Sequence, residues 1–118
     1  MQYLVQLTYR DGDGPQEGTP AFDAEMEIWG ALNTELRASG QVLGASGLKP
    51  ETATTVRGSR GGDVVITDGP YAETKEILFS FYILDVEDLD AAIALARKMP
   101  AVEYGSVTIT AMVGLELR

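Results

Sequence analysis

The stretch that decides the fold is Ile77–Leu84, which reads Ile-Leu-Phe-Ser-Phe-Tyr-Ile-Leu and is interrupted by only one polar residue, Ser80. A strand with one face in water would alternate apolar and polar residues, and this stretch does not. Its composition is typical of a strand that is covered on both faces. We therefore predict that it is a central strand of its sheet.

The residues before this strand predict a strand, a helix and a second strand. Alternating residues over Tyr3–Tyr9 indicate the first strand. Thr19–Pro20 supplies an N-cap and a proline at the first helical position, and Ser39–Gly40 supplies the stop. Val42–Leu48 indicates the second strand. An amphipathic helix is predicted between cap and stop, because apolar residues recur there at spacings of three and four: Phe22, Met26, Trp29, Leu32 and Leu36.

A hairpin and a second strand–helix–strand unit complete the chain. Residues 54–67 predict the hairpin, with the glycine-rich turn Gly58–Gly62 between two β-branched runs. Leu89–Met99 predicts the second helix, with acidic residues in its first turn, basic residues in its last turn, and Pro100 as its stop. Val107–Val113 alternates and predicts the last strand.

The order β-α-β, hairpin, β-α-β predicts an α+β protein with the ferredoxin-like split β-α-β fold. Four strands would form an antiparallel sheet with two helices on one face, and the small hairpin would be extra. No linker or low-complexity segment interrupts the pattern, so we expect residues 1–118 to form a single domain.

The central strand also predicts how the chain assembles. Simple alternation sets Leu78, Tyr82 and Leu84 on the face opposite Phe79 and Phe81. Because the two helices cover only one face, we predict that a second copy covers the other in a homodimer through the sheet face. The alternative is that a loop or the C-terminal tail folds over it.

Composition excludes several classes of function. The chain has a net charge of −9, with nine basic residues and 18 acidic ones, which argues against direct binding to nucleic acid or to an anionic membrane surface. Since it contains no Cys and no His, disulfides, thiolate chemistry and histidine-dependent metal or triad sites are excluded. We expect no cofactor. The absence of a signal-like or membrane-spanning pattern predicts a cytoplasmic protein.

Glu25 is the first candidate for a functional residue, because it falls within the apolar stripe of the first helix, close to Trp29. A partly desolvated carboxylate there suits acid–base chemistry or ligand binding. The alternative is that Glu25 reaches solvent and stabilises the start of the helix. Trp29 is either a ligand contact or a core residue.

Four further candidates follow from the turn after residue 67 and from the central strand. Asp68 and Tyr71 bracket a Gly-Pro turn, where an acid and an aromatic ring either contact a ligand or hold the turn in place. Lys75 lies between Glu73 and Glu76 and belongs either to a pocket mouth or to an exposed ion-pair cluster. Tyr82 points to the dimer interface or a cavity, or packs in the core.

Residues 65–76, which read Val-Ile-Thr-Asp-Gly-Pro-Tyr-Ala-Glu-Thr-Lys-Glu, resemble the signature of the YCII-related family in its DGPF-motif branch. That signature is a strand ending in T-D-G-P-F followed by A-E-T-K-E, with Tyr71 here in place of the Phe. The resemblance extends over nearly the whole chain. Its further matches are Gly47–Pro50, Phe81–Ile83, Leu89–Ala92 and Tyr104–Val107.

The resemblance implies a ferredoxin-like fold that dimerises into an α/β barrel. The broader group has been suspected of enzymatic function through a His–Asp pair, which this chain lacks because it has no His. Many DGPF relatives are encoded beside extracytoplasmic-function sigma factors, which implies a regulatory association. Where relatives carry Leu-Gly-Gly, this chain has Leu78-Phe79-Ser80, and we expect these larger residues to fill space that the relatives keep open.

Two functions follow from these observations. The first, which we favour, is a dimeric module that binds a small molecule or a protein partner, with a regulatory role. The second is a small dimeric α/β-barrel enzyme without metal or His, in which Glu25 or Asp68 acts as base and Tyr71 or Tyr82 as acid or orienting group.

Overall fold

The computed structural model describes residues 1–69 and 76–117. It has the predicted order of elements. They are β1 (Gln2–Arg10), α1 (Pro20–Ser39), β2 (Val42–Gly47), β3 (Thr54–Gly58), β4 (Val64–Asp68), β5 (Glu76–Asp85), α2 (Leu89–Ala96) and β6 (Ser106–Ala111), with short 3-10 helices at Pro50–Thr52 and Pro100–Glu103.

The main sheet has four strands in the order β2-β5-β1-β6, and every neighbouring pair is antiparallel. This is the order of the split β-α-β plan, so the predicted ferredoxin-like α+β fold is confirmed. β5 lies between β2 and β1, which confirms that the stretch Ile77–Leu84 is central. β3 and β4 form a separate two-stranded sheet, which is the predicted hairpin.

Both helices pack on the same face of the sheet. The buried side chains of β1 and β5 on that face form one cluster with Leu32 and Leu36 of α1 and with Ala92 of α2. Val5, Leu7 and Leu84 have no exposed surface in this core: each is 0% exposed. Burial of these side chains is the main source of stability for a domain of this size. No helix in the described ranges is both long enough and apolar enough to span a membrane.

The ends of α1 are fixed by the residues that the sequence marks. The Thr19 hydroxyl accepts a hydrogen bond from the backbone N–H of Phe22 at 3.2 Å, and Pro20 follows as the first helical residue. Gly40 ends the helix in the left-handed conformation, with φ of 71°, which costs glycine little. The capped helix therefore holds Glu25, Trp29 and the residues between them at fixed positions over the sheet.

A β-bulge at Phe79 changes which side chains of β5 face the helices. Leu7 pairs with Ser80 and Thr8 pairs with Leu78, so Phe79 is an extra residue in β5. Beyond the bulge, Tyr82 and Leu84 are 6% and 0% exposed beneath the helices.

The prediction that Tyr82 and Leu84 need a cover from a second chain is therefore wrong, because it assumed unbroken alternation along β5. The uncovered side of the sheet, which we call the outer face, carries other residues. Leu4 and Gln6 of β1 are paired there with Ile83 and Phe81 of β5, and Leu78 lies on the same side.

Candidate functional site

Two neighbouring cavities lie between α1 and the sheet, beside the bulge in β5. Met26, Trp29 and Phe79 line both of them and form the wall that they share. The first, which we call the aromatic cleft, has a volume of about 390 Å³. The second, which we call the arginine cleft, has a volume of about 380 Å³. These volumes are within the range of small-molecule sites.

The aromatic cleft is named for the rings that surround it. They are Tyr9, Phe22, Trp29, Phe79 and Tyr104, and the loop 11–16 closes one side. The rings of Tyr9 and Phe79 meet edge to face, with centroids 5.1 Å apart and planes at 69°. Since this arrangement is favourable for aromatic pairs, the two rings stabilise each other as a wall.

Glu25 and Tyr104 form the polar contact of the aromatic cleft. The Tyr104 hydroxyl donates a hydrogen bond to Oε2 of Glu25 at 3.0 Å. Burial raises the pKa of Tyr104, and the hydrogen bond to Glu25 and the negative charge of Glu25 raise it further. Tyr104 thus stays protonated at neutral pH as a donor. No other hydrogen bond to the Glu25 carboxylate forms within the described residues, so it retains capacity to accept from a ligand.

Gly14 lets the loop 11–16 approach this pair closely. Its φ is +83°, and a Cβ atom at this position would meet the Tyr104 ring at 2.8 Å. The loop also brings Asp11 and Asp13 to the rim of the cleft. In the part of the chain that the structure describes, no group of three or more acidic residues is arranged to hold a metal ion. The cleft is thus lined by aromatic rings, with the Glu25 carboxylate as a hydrogen-bond acceptor at one side.

Replacing Glu25 with glutamine should lower the pKa of Tyr104, because it removes the negative charge beside the phenol. The pKa should stay above the ordinary tyrosine value, since burial is the first cause of the shift and remains. In the wild type the folded state keeps the phenol proton at a pH where the unfolded state has lost it. The Tyr104 contribution to stability is therefore present below the ordinary pKa and lost as pH rises above it.

This change can be followed by NMR, through the ring carbon that carries the Tyr104 hydroxyl, during an alkaline titration. Glu27→Gln is the matched control, because Glu27 is an exposed residue of the same helix. An unchanged Tyr104 titration in the Glu25 variant would contradict the hydrogen-bonded pair.

The arginine cleft has a different lining. The Tyr82 hydroxyl donates a hydrogen bond to Oδ1 of Asn33 at 2.7 Å. Burial raises the pKa of Tyr82, although the charge of Arg37 acts in the opposite direction. Ser46 and Ser80 line the side formed by β2 and β5. Arg37 is the only charged residue among the described residues that line this cleft.

The structure brings together some of the predicted site residues and separates others. Glu25 and Trp29 line the same aromatic cleft, and Tyr82 lies in the adjacent arginine cleft. Asp68 is exposed at the end of the β3–β4 hairpin, opposite Thr54, and lines neither cleft. Of the four predicted candidates that the structure describes, Glu25, Trp29 and Tyr82 therefore lie beside these cavities and Asp68 does not.

Two of the predicted candidates, Tyr71 and Lys75, lie outside the described residues, as does Glu73 of the predicted charged cluster. Glu76 is described; it is exposed and accepts a hydrogen bond from the Thr8 hydroxyl at 3.3 Å. Phe79 lines both clefts, so a cavity remains on each side of its ring and Phe79 forms part of the wall between them.

Sequence reasoning missed Tyr104 and Arg37 as residues of the site. Tyr104 follows the short 3-10 helix Pro100–Glu103, and the adjacent Gly105 packs against the backbone of Thr8 so closely that a Cβ would clash. That close approach sets Tyr104 against α1. The Tyr104–Gly105 pair is the signal in the sequence. The partner of Tyr104 is Glu25, 79 residues away in the chain, and only the fold brings the two together.

Comparison with known proteins identifies a family to which the chain belongs by sequence, a relative and a solved structure with a similar fold. The family described as "YCII-related domain" matches residues 1–115. "Uncharacterized protein R00369" from Rhizobium meliloti (strain 1021) is 38% identical over 104 residues, which are 84% of this chain and 80% of the relative.

One solved structure with a similar fold is 5-chloro-2-hydroxyhydroquinone dehydrochlorinase (TftG) from Burkholderia phenoliruptrix AC1100, in complex with 2,5-dihydroxybenzoquinone. Its TM-score is 0.51 at 14% sequence identity, and the match covers 96% of this chain and 94% of TftG. At this identity the likeness concerns the fold.

Proposed function

We propose that this chain, which belongs to the YCII-related family, is a binding module for a small aromatic ligand. The observation that carries the proposal is the aromatic cleft, in which five rings surround a cavity of about 390 Å³ beside the Glu25–Tyr104 pair. Small-molecule sites are typically apolar with a few well-placed polar groups, and this cleft has that composition.

The chemistry of the lining defines the ligand further. Ring walls favour a flat apolar body through stacking and edge-to-face contacts. Tyr104 occupies Oε2 of Glu25, so the ligand must approach the remaining acceptor positions of the carboxylate. Since a carboxylate accepts but does not donate, the ligand should carry a hydroxyl or amine N–H that points at Glu25. A phenol is the simplest compound that meets both requirements.

The binding test uses the fluorescence of Trp29, which is the single tryptophan of the chain and lines the cleft. Titration with para-cresol should produce a saturable change in that fluorescence, and toluene should bind more weakly because it has no donor. Glu25→Gln should weaken para-cresol binding about tenfold, since a charge-assisted hydrogen bond becomes a neutral one.

Glu27→Gln provides the control for this experiment, because it removes the same charge from an exposed position two residues along α1. It should bind para-cresol like the wild type. The absence of any saturable change with para-cresol would contradict the proposed function. An equal loss in both variants would show that the effect of Glu25 is that of net charge.

The proposal includes a homodimer formed through the outer face. The two central strands place Leu4, Phe81 and Ile83 there, half-buried within one chain, and Leu78 is 36% exposed. The edge strand β6 presents the polar Thr108 on the same face. Gln6 of β1 also lies on this face, opposite Phe81. A face that combines partly exposed apolar side chains with polar ones suits a protein interface, and a second copy of the same face would complete it.

The second candidate function is an enzyme in which Glu25 acts as a base. It is favoured by the position of Glu25, which lines the cavity instead of projecting into solvent. Tyr104 takes the orienting role here, because Asp68 lies elsewhere and Tyr82 bonds to Asn33. The likeness to TftG supports the fold and is no argument for its reaction. In an enzyme, Glu25→Gln should abolish turnover and retain binding.

The cellular role of the protein is proposed here as the sequence predicts it. Four predictions rest on the family resemblance and on composition. They are membership of the DGPF branch, a regulatory association with an extracytoplasmic-function sigma factor, a protein partner and a cytoplasmic location. The proposed binding cleft is compatible with a regulatory module, since a ligand held beside α1 would change the surface that a partner contacts.

A further inference from the structure

The arginine cleft presents hydrogen-bond donors that no group in the described residues uses. Asn33 accepts from Tyr82 through Oδ1, which leaves its amide N–H groups directed elsewhere. The Arg37 guanidinium forms no hydrogen bond or ion pair with a described residue. No acidic residue is among the described residues that line this cleft.

Arg37 thus has no ion-pair partner among the described residues, although the chain has twice as many acidic as basic residues, 18 against nine. On the same helix, Glu35 is paired with Lys98 at 2.7 Å. A position in the last turn of α1 suits a cation, because the helix dipole is negative there. The favourable interaction with the helix dipole explains why a cation lies at this position. It does not explain why the guanidinium lies beside a cavity that is lined by hydrogen-bond donors.

The two clefts are adjacent and complementary in charge. Met26, Trp29 and Phe79 form their common wall. The aromatic cleft has acidic residues in its lining, Asp11, Asp13 and Glu25, whereas the arginine cleft has Arg37 and the Asn33 amide. A ligand that lies along Trp29 would therefore meet an acceptor at one end and donors at the other.

We infer that the arginine cleft is a second subsite, which binds the carboxylate of the same ligand that the aromatic cleft holds by its ring. The inference rests on the proposed function of the aromatic cleft. Arg37 and the Asn33 amide donate to the carboxylate, the ring lies against Trp29 and Phe79, and a hydroxyl at the far end donates to Glu25. The ligand class is a small hydroxylated aromatic acid.

The test compares acids with their neutral methyl esters, again through Trp29 fluorescence at physiological ionic strength. The probes are para-hydroxybenzoate and para-hydroxyphenylacetate, which place the carboxylate at two distances from the ring. At least one acid should bind about tenfold or more tightly than its ester, as expected when a charged hydrogen-bonded pair forms. Arg37→Gln should abolish this preference, because it should weaken the binding of the acid much more than that of the ester.

Arg97→Gln is the matched control, because Arg97 is an exposed arginine that lines neither cleft and its replacement changes the net charge equally. It should retain the preference for the acid. An equal loss in the Arg37 and Arg97 variants would overturn the inference, since net charge alone would then explain it.

The remaining outcomes separate the two proposals. If acids and esters bind equally while para-cresol still binds in a Glu25-dependent manner, the subsite is refuted and the aromatic cleft stands. If no probe, including para-cresol, changes the Trp29 fluorescence, both proposals fail.

Discussion

Replacing Leu84 with alanine should lower the free energy of unfolding by about 3 kcal/mol. Leu84 is 0% exposed and lies in the central strand β5, where it is paired with Tyr3 of β1 and with Val42 of β2. Strands on both sides and helices above leave little room for the surroundings to collapse into the space. The lost contacts and the remaining cavity then both contribute to the cost. Urea unfolding followed by circular dichroism measures the change.

Leu117→Ala makes the same chemical change at a position that is 57% exposed and outside the strands and helices. It should alter the free energy of unfolding by less than about 0.5 kcal/mol. If the Leu84 variant loses no more than this control, Leu84 does not lie in the core described above. The comparison also tests the bulge, since unbroken alternation predicted Leu84 on the uncovered face.

Replacing Ile83 with aspartate should convert the proposed dimer into a folded monomer. Ile83 lies on the outer face, opposite Leu4 of β1 and Gly44 of β2. In a dimer through that face the new carboxylate would be buried without a partner, which costs several kcal/mol in each chain. In the monomer it would face water. Light scattering should give about twice the chain mass of 12.7 kDa for the wild type and the single chain mass for the variant.

Ile28→Asp is the control for assembly, because it makes the same change on α1, where the side chain is 52% exposed on the helix side of the sheet. Its mass should equal that of the wild type. Circular dichroism of both variants would show whether the fold is kept. A wild-type protein that is monomeric at micromolar concentration would contradict the dimer, and an Ile83 variant that stays dimeric would move the interface elsewhere.

Local signals in the sequence were sufficient to predict the fold. Thr19, Pro20 and Gly40 mark the ends of α1 through the conformations that these residues favour, and the structure uses all three. The continuous apolar run in β5 predicted a central strand because only such a strand is covered on both faces. Because these signals act over only a few residues, they can be identified from the sequence without knowledge of the tertiary structure.

The candidate site was only partly predictable for the opposite reason. Glu25 and Trp29 were identified from their place in the helical stripe, which is a local pattern. Tyr104 and Arg37 acquire their roles from residues distant in sequence or from a cavity, which no local pattern encodes. The error at Tyr82 had a similar origin, since a bulge depends on how β5 pairs with β1 and not on the composition of β5.

The extra residue Phe79 also affects how relatives of this protein should be compared by sequence. On the N-terminal side of it Leu78 belongs to the outer face, and on its C-terminal side Tyr82 and Leu84 belong to the inner one. A relative that lacks the bulge by deletion of one residue would align correctly only with its gap at this position. A gap placed elsewhere in the strand would exchange positions of the inner face with positions of the outer face, and any count of substitutions on either face would mix the two.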